Sequence, residues 1–165
     1  MKQLNLIPPP RLECGGSLQN TRKHKRVLCS KRPLHLVLKA NRNTLFKNRE
    51  FIHQTLKTQA KKFGHKLQSR SVQKNHIHVL MQISSRLEYL KFIRALTGLI
   101  ARKLGRGIWK FRPYTKILSW GREIKNVTGY ILQNELEVFG VRAYRPRKSS
   151  KNREFTGDRL RKPIE

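Results

Sequence analysis

Apolar and polar residues alternate across residues 34–40. Leu34, Leu36, Leu38 and Ala40 share one face and His35, Val37 and Lys39 the other, which predicts a half-buried strand. Over residues 49–63 the spacing changes: Ile52, Leu56, Ala60 and Phe63 recur at helical intervals, and Gly64 follows as a C-terminal stop. Residues 67–73 read as a weak strand and residues 76–83 as a strong one, because Ile77, Val79, Met81 and Ile83 form a continuous apolar face. Ser85-Arg86-Leu87-Glu88 fits a capping box. Behind it Leu87, Leu90, Ile93, Leu96, Ile100 and Leu104 form a helical stripe that Gly105-Arg106-Gly107 ends. A strand is predicted over residues 111–120, with Pro113 placing it at an edge or a bulge. Ile124, Val127 and Ile131 carry a last helix over residues 121–136. This order predicts an α+β fold, a ferredoxin-like antiparallel sheet with helices packed on one face.

The flanks lack such periodicity. Residues 1–33 read as a basic N-terminal arm, with Pro8-Pro9-Pro10, Gly15-Gly16 and the cluster Arg22-Lys23-His24-Lys25-Arg26. Residues 141–165 read as a basic C-terminal tail; from Arg142 onward it holds nine Lys/Arg against three acids. Both are expected to be flexible without a ligand. The ordered domain is expected at residues 34–140.

Charge then narrows the partners. Thirty-eight Lys and Arg against nine acids give a formal net charge of +29, which repels itself unless a polyanion neutralises it, so nucleic acid is the expected partner. No apolar run approaches the ~20 residues of a membrane-spanning helix, and residues 1–10 lack a signal-peptide core. Composition alone would suit a structural RNA-binding protein of ribosomal type. Cys14 and Cys29, the only cysteines, form no CxxC pair and suit a reducing cytoplasm with two inert thiols. On charge alone the DNA-contact candidates are Arg22, Lys23, Lys25, Arg26, Lys31, Arg32, Arg94, Arg102, Lys103, Arg145, Arg147 and Lys148.

The acids are few where a nuclease would need them. Between His35 and Gly140 they are Glu50, Glu88, Glu123, Glu135 and Glu137, and the one aspartate is Asp158. The predicted strands after residue 33 carry none of them, so metal handling at a phosphate would fall to histidines and amides. His76 and His78, two apart on the strongest strand, leave its face together. Neutral imidazoles are ligands for divalent cations. His35, on the same kind of face, is a candidate for supporting that pair or contacting DNA. Tyr130 and Asn134 share one helix face at i and i+4, with Gln133 one step round. A phenol can attack a phosphodiester and conserve its bond energy in a phosphotyrosine. Gly129 directly precedes Tyr130, where a helical glycine costs about 1 kcal/mol relative to alanine.

These pieces together resemble the HUH single-tyrosine transposases, in particular the REP-associated tyrosine transposases and insertion-sequence relatives, over about residues 31–140. The resemblance is carried by Pro33-Leu34-His35-Leu36-Val37-Leu38, by Asn75-His76-Ile77-His78-Val79-Leu80, by Arg94-Ala95-Leu96-Thr97-Gly98, and by Tyr130-Ile131-Leu132-Gln133-Asn134-Glu135, whose tyrosine stands 54 positions after His76. Glu135 departs from many REP-associated members, which have proline there. The resemblance implies a metal-dependent single-stranded DNA endonuclease and strand transferase acting beside a hairpin through a 5′-phosphotyrosine. It implies Tyr130 as nucleophile, and His76, His78 and Asn134 as ligands of Mg²⁺ or Mn²⁺. It also implies a monomer or homodimer at the bacterial nucleoid, acting on REP-like or insertion-sequence ends. A domesticated DNA-binder that no longer cuts is the alternative.

Overall fold

The alternating segment pairs on both sides. In a computed structural model that describes residues 12–16, 25–119 and 121–143, the elements run β1 (Glu13–Gly16), β2 (Leu34–Lys39), a 3-10 turn (Phe46–Asn48), α1 (Arg49–Lys62), β3 (Lys66–Val72), β4 (His76–Gln82), α2 (Arg86–Leu104), β5 (Arg112–Ile117) and α3 (Arg122–Val138). The strands form one sheet in the order β1-β5-β2-β4-β3, with every neighbouring pair antiparallel. This is the α+β architecture expected. Gly64, at φ 68°, follows the end of α1, and the Ser85 side chain accepts the Glu88 N–H to start α2.

Register decides which side chains share a face. Leu36 lies opposite Val79 and Leu38 opposite Ile77, so the apolar sides of β2 and β4 merge and pack beneath Ile52 and Leu56 of α1 and Phe92, Leu96 and Ile100 of α2. The alternate residues, His35 opposite Leu80 and Val37 opposite His78, leave the other face. Leu80 packs there with Leu118 and Ile131, flanked by Ile124, Val127 and Tyr130. The third helix therefore covers the face opposite α1 and α2, where the sequence suggested a single helical layer. The stripe of α3 demands burial, but a stripe does not say which side of a sheet receives it.

Two further findings concern the flanks. Four residues of the expected N-terminal arm form β1, an edge strand on β5. Arg26 secures it, its Nη1 donating to Thr115 Oγ1 at 2.6 Å and to the Cys14 carbonyl at 3.3 Å. Pro113 is on an interior strand, and a bulge between Cys14 and Gly16 lies across from it. Gly15 there has φ 85°, and a Cβ would fall onto the Pro113 carbonyl oxygen, so only glycine fits. Cys14 and Cys29 are free thiols. No described helix is long and apolar enough to cross a membrane.

Candidate active site between the sheet and the third helix

His76 and His78 leave β4 together, as period two requires, with ring centres 4.8 Å apart and planes at 90°. Neither stands on an open surface: α3 lies over them, leaving His76 half-buried and His78 only 4% exposed. His35, reaching across from β2, stacks on His78 at 5.3 Å, and its Nε2 lies 3.1 Å from His78 Nδ1. Burial foremost, and then the nearby Lys116 charge, lower the His35 pKa to about 4. His35 is therefore neutral at ordinary pH, and when the shared proton sits on His78 Nδ1 the acceptor pair of His78 lies on Nε2. His76 Nδ1 is 2.7 Å from Asn75 Oδ1, an acceptor, so its own acceptor pair falls on Nε2 by the same reasoning.

The helix brings the second half. Tyr130 meets His78 edge to face, ring centres 5.1 Å apart. Asn134, one turn on, is 4% exposed. Its backbone carbonyl accepts from Gln73 Nε2 at 2.7 Å, and the same amide nitrogen donates to Ser71 Oγ at 2.8 Å. Gln73 thus ties α3 to β3, a role invisible in the sequence because its partner lies 61 residues away. Gln133 turns aside, donating to Glu137 Oε1 at 2.8 Å. A cleft of about 630 Å³ opens beside Tyr130, lined by Lys125, Gly129, Gln133 and Arg142 among others. A Cβ at Gly129 would meet no described atom within 4 Å, so packing within the described chain does not require the glycine.

The donor set fits a divalent cation. Two imidazoles have their second nitrogens anchored, the arrangement that orients histidine ligands, and Asn134 is buried one turn beyond Tyr130 on α3. Among the described residues no three His, Cys, Asp or Glu side chains gather around one point, so an amide oxygen would have to complete such a site.

The remaining tyrosines are engaged elsewhere. Tyr89 is 1% exposed in the main core, its phenol pushed up to about 12, chiefly by burial. Tyr114 is held above the ordinary phenol range, first by burial and then by the Glu13 carboxylate. Tyr144 lies outside the described residues. Of the charge candidates, Arg26 is structural, as above. Lys25, Lys31 and Arg32 are exposed ahead of β2. Arg94, Arg102 and Lys103 stand on α2, on the side of the sheet away from the histidines. Arg22, Lys23, Arg145, Arg147 and Lys148 lie outside the described residues.

A family model described as "Transposase IS200 like" matches residues 29–136. Curated proteins return no match. Among solved structures, that of a REP-associated tyrosine transposase bound to a REP hairpin aligns with a TM-score of 0.57 at 10% identity, over 71% of this chain and 74% of that one. A candidate transposase from Deinococcus radiodurans R1 aligns at 0.43 and 15% identity, over 70% of this chain and 98% of that one. At these identities the structural likeness speaks to the fold.

Proposed function

The chain belongs to the IS200-like transposase family, and from that premise we propose that it cuts and rejoins single-stranded DNA beside hairpins, with Tyr130 as the nucleophile. The observation that carries this reading is the contact of the Tyr130 ring with His78. It joins a phenol to a histidine pair across two elements, next to a cleft bordered by Lys125 and Arg142. Tyr130 Oη would attack the scissile phosphorus, forming a 5′-phosphotyrosine and releasing a 3′-hydroxyl. The phenol gives up its proton as that bond forms, and the departing oxygen takes one up. Attack by a 3′-hydroxyl reverses the step and joins strands. His76, His78 and the Asn134 oxygen would hold Mg²⁺ or Mn²⁺, which when bound supplies positive charge at the phosphate. His35 acts through His78, fixing its tautomer and ring orientation, and Gln73 keeps Asn134 in place. The catalytic unit is residues 34–140 with β1 added to its sheet, working in the bacterial cytoplasm at the nucleoid.

The test is Tyr130→Phe, which removes one oxygen and keeps the ring. Incubated with labelled hairpin DNA and Mg²⁺ or Mn²⁺, wild type should give a covalent adduct. The variant should bind with little change while adduct and cleavage fall by several orders of magnitude. Cleavage by Tyr130→Phe at the wild-type rate would end the assignment. A wild-type chain that bound hairpins yet formed no adduct would be a non-cutting DNA-binder.

A further inference from the structure

A second cavity, of about 260 Å³, lies on the other side of the sheet, where β2 ends and β5 begins. Its floor is Leu38, one wall is Ile93 and Thr97 of α2, and the other is Trp109, Phe111 and Pro113. The aromatic wall is held firmly. Trp109 Nε1 donates to the Thr97 carbonyl at 3.1 Å, the Lys110 N–H donates to the Lys39 carbonyl at 2.8 Å, and Trp109 bridges to Ala40. Phe111 and Trp109 keep part of their surface in solvent. Two cations lie over the Phe111 ring, Lys39 Nζ at 6.0 Å and Lys110 Nζ at 5.4 Å from its centre, where an incoming base would displace them toward its phosphates, and exposed Arg94 stands on the rim. Among the described residues no acid lines the cavity.

Partly exposed aromatic rings with mobile lysine cations beside them suit a ligand that is flat where it stacks and anionic where it continues, which describes a nucleotide within a strand. The location links the cavity to the active site. Lys39 is the direct cross-strand partner of His76, so one lysine joins the histidine end of the sheet to the Phe111 ring. We propose that this cavity takes one base of the single-stranded DNA flanking the cut, stacked on Phe111 and Trp109, with Lys39, Lys110 and Arg94 on the adjoining phosphates. The identity of the polymer rests on the transposase reading; the stacking site itself does not require cleavage.

The experiment compares the full chain with Phe111→Ala and Phe111→Tyr. The probes are an oligothymidylate of about 20 nucleotides and an abasic sugar-phosphate chain of equal length. Stacking of one base predicts that Phe111→Ala weakens oligothymidylate binding about 5- to 150-fold. It should leave the abasic chain unchanged, and Phe111→Tyr should restore binding. Equal loss on both probes, or no loss, would overturn the proposal; a cavity built for a protein partner would give the latter. Should Phe111→Ala fail to fold, wild type photocrosslinked to an iodouracil-substituted strand decides the matter. Adducts mapped to Phe111 or Trp109 support the site, and adducts mapped only elsewhere refute it. A wild type that forms the Tyr130 adduct while Phe111→Ala binds normally sinks the cavity alone. Selective loss on Phe111→Ala without any Tyr130 adduct keeps the cavity and sinks the nuclease.

Discussion

His65, 6% exposed between α1 and β3, accepts the Ser84 N–H on Nδ1 at 3.2 Å and packs edge-on against Phe92. Burial lowers its pKa below 6.5, with Glu88 opposing the shift. Above about pH 6.5 both folded and unfolded chains hold the ring neutral. Below that the unfolded chain takes up a proton that folded His65 refuses, so stability falls with pH until the folded pKa is reached. One histidine can supply a slope of at most about 1.4 kcal/mol per pH unit. His35 and His53, also lowered, act in the same direction. His65→Gln should flatten the decline of stability between about pH 6.5 and 5, measured by denaturant unfolding at stepped pH; a slope equal to wild type would assign the acid sensitivity elsewhere. At this scale the sequence was informative wherever chemistry and spacing coincide. His76 with His78, and Tyr130 with Asn134, could be singled out from residue type and interval. Gln73 and the His35–His78 contact could not, because each depends on register between distant segments.

Among the elements, β1 tests how far the fold extends toward the N-terminus. Its four residues, Glu-Cys-Gly-Gly, have no alternation and two glycines, so nothing local marks a strand. It exists because β5 offers an unpaired edge, Arg26 reaches across, and the Ile117 N–H donates to the Leu12 carbonyl at 3.0 Å. Deleting residues 1–16 should uncover that edge. A few lost hydrogen bonds at about 0.5–1.5 kcal/mol each suggest roughly 2–4 kcal/mol of destabilisation, with added self-association through the bare strand. Thermal unfolding and light scattering of the truncated chain would check this; unchanged stability would return the segment to the status of an arm. β2, β4, α1 and α2 were legible because their apolar periods run for several residues. The face taken by α3 was not, since Leu80 and Leu118, the residues that receive Ile131, stand out only once the sheet is built.

For the whole molecule the dominant quantity is the +29 charge. Added salt screens the mutual repulsion of the cations, over a distance near 8 Å at physiological ionic strength, and it also competes for DNA phosphates. The two effects are opposite in sign. Raising salt should increase the melting temperature of the free chain while weakening single-stranded DNA binding, with a slope near 0.7 in log affinity against log salt per phosphate neutralised. Parallel thermal melts and binding titrations over one salt series test both. A melting temperature that fell with salt would mean that ion pairs such as Lys116 with Glu13 and Glu123 outweigh the repulsion.

The two faces of the sheet are unequally filled: among the described residues nineteen buried hydrophobic side chains gather on the side of α1 and α2, and three, Leu80, Leu118 and Ile131, on the side of α3. The molecule should therefore open in two tiers. Amide protons of β2, β4 and α2 should exchange with deuterium only through global unfolding. Those of α3 should exchange through a cheaper partial opening that lifts the helix and leaves the sheet intact. The tyrosine would then ride on the least stable cooperative unit of the fold, and a bound DNA strand would be expected to slow exchange in α3 more than anywhere else.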